Sequence, residues 1–131
     1  MLFGIGTDII AIERLERLYR RHGDAALEKL LAPTERPEFA RLTPAGQGRF
    51  LAKRWAAKEA LGKALGTGLR PPAVPTAIAV AHDDLGKPCF IVDTALQSRF
   101  DALGIRQAQL SISDETSYAV AFVVLEGSED R

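Results

Sequence analysis

A single cysteine, Cys89, serves the whole chain, which excludes an intrachain disulfide and a thiolate cage around a metal. It lies in the apolar run Cys89-Phe90-Ile91-Val92, where a free thiol is expected to pack as a small buried hydrophobe. No apolar stretch approaches the ~20 residues that a membrane-spanning helix needs. The N-terminus has no basic segment leading into an apolar run, so no signal peptide is expected and the expected location is the cytoplasm. Neither sign of charge is in surplus. Lys+Arg and Asp+Glu number 17 each, leaving no global field to draw the chain onto nucleic acid or an anionic membrane. The two histidines, His22 and His82, fall near a helix end and in a turn, where solvated side chains are expected, and no Ser-His-Asp constellation is evident. Neither a Walker A loop nor a Gly-x-Gly-x-x-Gly turn is present, so a phosphate ligand would need a less common arrangement.

What is there is an ordinary globular balance, 47% hydrophobic and 26% charged over 131 residues. This suits one domain spanning residues 1–131. Met1 to Thr7 is apolar and glycine-punctuated, as in a strand that delivers Asp8. Ile9, Ile12, Leu15, Leu18 and Tyr19 recur at helical spacing, and His22-Gly23-Asp24 ends that helix. A short helix is expected over 25–31 and a small segment around Phe39. The longest helical pattern runs from about Gln47 to Leu65, closed by Gly66 and Gly68. After a proline-rich loop the period changes to two. Strands over 76–81 and 88–92 form one hairpin, a helix covers 94–103, and strands over 109–113 and 117–126 form a second. Gly127 to Arg131 reads as a polar tail. The run Ala119 to Leu125 is continuously apolar, so both its faces should be buried, one of them by a second subunit.

Three side chains carry candidate chemistry. Asp8, ahead of Ile9, Ile12 and Leu15, suits a helix N-cap as well as a metal ligand. Glu59 and Lys63, one turn apart, suit an ordinary surface ion pair as well as a site. Magnesium prefers oxygen and takes one or two carboxylates together with water and phosphate. Asp8 and Glu59 could supply such a sparse site if the first strand packs on the long helix, with Lys63 pointing at the same phosphate. Arg14, Arg17 and Arg21 share a helical sector with Leu18, either a solvated face or a basic dock with an apolar anchor.

Two segments carry a resemblance. Gly4-Ile5-Gly6-Thr7-Asp8-Ile9-Ile10, followed by Ile12 and Arg14, and Phe50-Leu51 through Arg54-Trp55-Ala56-Ala57-Lys58-Glu59-Ala60, Lys63-Ala64-Leu65 and Gly66-Thr67-Gly68, resemble the signatures of the holo-acyl-carrier-protein synthases. These are the small bacterial type of 4′-phosphopantetheinyl transferase. Gly86-Lys87-Pro88 and the ending Leu110 to Asp114 and Tyr118 to Ala121 agree with it. The resemblance implies an α+β fold, an antiparallel sheet packed against helices, assembled as a homotrimer with coenzyme sites between subunits. It implies transfer of 4′-phosphopantetheine from coenzyme A to a serine of apo acyl carrier protein, in support of fatty acid biosynthesis. Asp8 and Glu59 would hold Mg2+, Glu59 and Lys63 would be catalytic, and Arg54, Lys63, Gly66, Thr67 and Gly68 would line the coenzyme cleft. Arg14, Arg17, Leu18 and Arg21 would meet the carrier protein.

One position departs from the pattern. Gln109 stands where many relatives have histidine, and an amide donates a hydrogen bond but cannot change charge. Two other classes remain as rivals: a coenzyme- or carrier-binding module without catalysis, against which the intact Asp8, Glu59 and Lys63 speak, and a nucleic-acid-binding protein using the arginine helix, against which the zero net charge speaks.

Overall fold

The computed structural model describes residues 1–128. The chain begins with strand β1, Leu2–Ala11, and turns directly into helix α1, Ile12–His22, ended by Gly23 at φ 54°. Helix α2, Asp24–Leu30, follows, then a 3-10 turn at Pro33–Glu35 and the short helix α3, Arg36–Ala40. Helix α4, Pro44–Leu65, is the longest element. A second 3-10 turn, Pro75–Ala77, precedes the antiparallel hairpin of β2, Ile78–His82, and β3, Pro88–Val92. Helix α5, Thr94–Leu103, leads into β4, Ile105–Asp114, and β5, Tyr118–Gly127. Strands β1, β5 and β4 form an antiparallel sheet with β5 in the middle. The α+β layout expected from sequence is present.

Helix α4 runs beneath this sheet. Ala52, Ala56, Ala57, Ala60 and Leu61 have no exposed surface, so the helix is enclosed nearly all round. Its small residues let strands approach closely. At Gly4 and Gly6 the approach is extreme: a Cβ on either would collide with the carbonyl oxygens of Ala64 and Ala60. Only glycine permits β1 to lie directly on α4 there. Ala119, Ala121, Val123 and Leu125 of β5 point at the same helix and are buried, while Tyr19, Phe39 and Phe50 meet edge to face at the other end of the core.

Several expectations need correction. Strand β1 continues through Asp8 and Ile9 to Ala11, so Asp8 is a strand residue and not an N-cap; Ala11 holds the cap position and offers no side chain. Ile9 belongs to the outer face of the sheet, 65% exposed. The hydrophobic spacing misled because Ile9 and Ile12, which share helical spacing, belong to a strand and a helix that join without a loop. Helix α4 starts earlier than expected: Thr43 caps it, its hydroxyl accepting from Gly46 N–H at 3.3 Å, and Pro44 takes the first position, where its missing N–H costs nothing. Thr76 and Ala77 lie in the 3-10 turn rather than in β2, and β4 begins at Ile105, its start disguised by the polar run Arg106-Gln107. Cys89 is half-buried rather than enclosed. Gly127 closes β5, donating to Met1 O at 2.6 Å, and Ser128 N–H reaches Gly104 O; the rest of the expected tail lies outside the described residues.

Strand β5 is buried on one face only. On the other, Phe122 is 44% exposed and stands beside Thr7, while Val124 pairs with Ile5 and Val120 with Ile9. Within the single chain this apolar face has no cover.

Candidate active site

The contact of β1 with α4 creates the site. Side chains alternate across a strand, so Asp8, two residues beyond Gly6, faces α4 as Gly6 does. Lys63, one turn beyond Glu59, extends its ammonium to Thr7 O at 2.8 Å and Asp8 Oδ1 at 3.2 Å. The lysine therefore pairs across elements with Asp8, and the reading of Glu59 and Lys63 as a surface helix pair gives way. Asp8 is 18% exposed and Lys63 54% exposed, so the cluster opens to solvent on one side.

Glu59 completes it. Partial burial and then repulsion by Asp8 push its carboxyl above the usual glutamate range, while Lys63 and Arg14 pull it back. Two carboxylates thus share a half-buried space with two cations at its margin. Among the described residues no cluster of three or more His, Cys, Asp or Glu could hold a metal. The Asp8–Glu59 pair fits a metal that needs few protein ligands. An all-oxygen pair whose mutual repulsion a divalent cation would relieve suits Mg2+, with phosphate and water as the remaining ligands.

Just past Lys63 the chain turns back on itself. Gly66 and Gly68 both have positive φ, 84° and 72°, and Gly68 N–H donates to Gly62 O at 3.0 Å. A Cβ on Gly62 would strike the backbone of Gly68, so the loop lies flat on the last helical turn and leaves Thr67 exposed. A helix C-terminus repels anions. Positive charge for a phosphate here must come from side chains, and Lys63 stands at that end.

The match to known proteins decides the family. The sequence model described as the 4′-phosphopantetheinyl transferase superfamily covers residues 4–123. The chain belongs to that superfamily. It is 56% identical over 126 residues to the holo-[acyl-carrier-protein] synthase of Dechloromonas aromatica (strain RCB), spanning 96% of this chain and 98% of the relative. Among solved structures it is similar to the holo-[acyl-carrier-protein] synthase of Neisseria meningitidis, with a TM-score of 0.92 and 43% identity over 96% of this chain and 99% of that one. It is also similar to the Bacillus anthracis synthase in complex with CoA (3′,5′-ADP), with a TM-score of 0.82 and 38% identity over 98% and 99% of the two chains.

Other residues expected to serve a phosphopantetheinyl transferase fall into two further places. Arg14, Arg17, Leu18 and Arg21 line one concavity of about 540 Å³ with Ala11 and His22, so the structure does bring the arginine helix together as a surface. Arg17 also pairs with Glu13 at 3.4 Å, both well exposed. Arg14 has a double position, in this concavity and within electrostatic reach of Glu59. Both histidines are exposed. Gln109 donates to Gln107 at 2.9 Å and to Glu126 at 3.1 Å.

Arg54 stands elsewhere. Its guanidinium is 3% exposed, 3.1 Å from Glu35, hydrogen-bonded to Glu38 at 3.2 Å, and stacked 4.1 Å over the Phe50 ring. Burial lowers its pKa against the pull of both glutamates. Glu35 itself accepts from Ala32 and Val80 N–H groups and pairs with Lys58 at 2.6 Å. Arg54 is thereby a member of a buried charge network. Sequence reasoning did not find that network, although a signal existed: Leu51, Arg54, Lys58, Leu61 and Leu65 follow the three-four spacing of one helix stripe, which places both cations among core residues.

Proposed function

We propose that this chain is a magnesium-dependent holo-[acyl-carrier-protein] synthase, transferring 4′-phosphopantetheine from coenzyme A to a serine hydroxyl of apo acyl carrier protein. The observation that carries the reading is the meeting of Asp8 and Lys63, with Glu59 beside them, where β1 lies on α4. The names of the relatives and the coenzyme bound to the Bacillus anthracis neighbour support the same reaction.

In the reaction the serine oxygen attacks the phosphorus that bears pantetheine. The bond to the departing phosphate breaks, releasing adenosine 3′,5′-bisphosphate and holo carrier protein. Glu59 takes the serine proton, directly or through water, from its place beside Asp8 and Lys63 at the open edge of the core. Lys63 donates to the diphosphate oxygens as negative charge shifts between them. Asp8 holds Lys63 in place before substrate arrives. Mg2+ held by Asp8 and Glu59 would supply charge neutralisation at the diphosphate. Gly66, Thr67 and Gly68 form the floor of the coenzyme cleft. Arg54 braces α4 against the 3-10 turn and α3 through Glu35 and Glu38.

The acidic carrier protein docks on Arg14, Arg17 and Arg21, with Leu18 as the apolar anchor. The uncovered face of β1 and β5 joins subunits into a homotrimer, and the enzyme serves fatty acid biosynthesis in the cytoplasm. No helix among the described residues is long and apolar enough to cross a membrane. The decisive experiment mixes the protein with coenzyme A, Mg2+ and apo acyl carrier protein and weighs the carrier. A gain of one phosphopantetheine on serine is expected; an unchanged mass with folded enzyme overturns the reading.

A further inference from the structure

Lys58 has no exposed surface, and its ammonium spends its three hydrogens on three partners. They are Glu35 Oε1 at 2.6 Å, Leu30 O at 2.8 Å and Pro75 O at 3.0 Å. Leu30 is the last residue of α2, whose final carbonyls lack helical partners. Pro75 opens the 3-10 turn before β2. These two segments are far apart in the chain, yet both line one cavity of about 740 Å³, whose other walls include Leu18, His22, Ala26 and Trp55. Leu18 and His22 also line the arginine concavity, so the two hollows adjoin at α1. Lys58 thus ties both walls of an apolar cavity to α4, at the residue next to Glu59.

We propose that Lys58 is a positioning residue for the acceptor: it sets the spacing of the cavity walls and their height over α4, so that a carrier protein seated there presents its serine at Glu59. This rests on the docking assigned above to the arginine helix. Stability alone does not account for a lysine here. A buried ion pair is commonly matched or exceeded by apolar side chains of the same volume. Methionine would fill the space, but it cannot bond two carbonyls on separate segments. The buried Glu35 stands between Lys58 and Arg54, balances their charge together with Glu38, and bonds the Ala32 and Val80 amides.

The test is steady-state kinetics with coenzyme A and apo acyl carrier protein, with Mg2+ saturating. Lys58→Met should raise the acceptor KM about tenfold, the loss of two wall-holding hydrogen bonds, and lower kcat as the serine is presented less well, while the coenzyme A KM stays within about twofold. The Glu35→Gln/Lys58→Met double variant removes the glutamate left without its lysine. Arg54 keeps Glu38 as a partner there, so this variant should still unfold cooperatively while keeping the raised acceptor KM, which a purely structural role would not do. Arg21→Glu, run alongside, tests the docking itself. If Arg21→Glu leaves the acceptor KM unchanged, the docking reading fails and this inference falls with it. If Arg21→Glu raises it while both Lys58 variants match wild type, or lose kcat alone, the positioning role is overturned. Failure of both Lys58 variants to unfold cooperatively also overturns it, since Lys58 would then hold the whole fold rather than the cavity.

Discussion

Gly6 lies so close to the carbonyl of Ala60 that no side chain fits between them, and the amide of Ala64 stands 2.7 Å from where its Cβ would be. This glycine, not a charged residue, brings Asp8 within reach of Lys63. A methyl group here must lift β1 from α4. Gly6→Ala should cost about 1–3 kcal/mol, an overpacking penalty, measured by urea unfolding. Transfer activity should fall more than stability does, because Asp8 moves with the strand. Activity unchanged in a folded Gly6→Ala protein would remove the strand contact from the mechanism.

Asp8→Ala, Glu59→Ala and Lys63→Ala should each reduce kcat by at least about 100-fold while circular dichroism stays near wild type, since all three are at the open edge of the core. Under the proposed mechanism added Mg2+ should not rescue Lys63→Ala, because the metal would not replace a separate positive charge on the phosphate. Turnover near wild type in the two carboxylate variants would place the metal elsewhere.

Arg14 and Arg21 should separate. Arg21→Glu should raise the acceptor KM about three- to tenfold and leave kcat alone, an effect that shrinks in salt because exposed charges are screened over ~8 Å at physiological ionic strength. Arg14→Glu should raise the acceptor KM and lower kcat together, because Arg14 also acts on Glu59. Identical kinetic profiles for the two variants would contradict that double position.

Asp114 ties the β4–β5 turn to α4. Its hydrogen bond from Arg49 at 2.7 Å holds its carboxyl below the usual aspartate range; slight burial opposes this, and Lys53 at 3.6 Å adds to it. A carboxyl with a depressed folded-state pKa contributes stability above its unfolded value, and that stability is lost as pH falls through the folded value. Asp114→Asn should therefore lower the unfolding free energy from urea titration at pH 7, by less than about 1 kcal/mol for so exposed a pair, and match wild type well below pH ~4. A gap that persists in acid would assign the effect to packing.

The uncovered face of β5 predicts an assembly. Sedimentation at micromolar concentration should give a mass above the monomer, and Phe122→Asp should lower it. A wild-type monomer would leave the apolar face of Ile5, Phe122 and Val124 without a role.

Much of the site was legible along the chain. Lys-Glu followed by Lys one turn on, an Asp after Gly-x-Gly, and a Gly-Thr-Gly exit are local patterns, and helix periodicity places Glu59 and Lys63 on adjoining turns. The buried network was less legible. Lys58 and Glu59 are neighbours of similar polarity, and only packing sends one into the core against Glu35 and the other towards Asp8. Arg54 shows the same limit. A basic residue in a signature motif suits a phosphate, yet its guanidinium is enclosed by Glu35, Glu38 and Phe50.

By itself the order of residues determined the family, the α+β class, the two hairpins and the chemical types available, because period, turn residues and motif spacing are short-range properties. Tertiary structure alone decided which charges meet. Asp8 and Lys63 are brought together because two glycines let a strand rest on helix carbonyls. Lys58 joins Leu30 to Pro75 because a buried ammonium takes whatever acceptors the packed chain brings within reach.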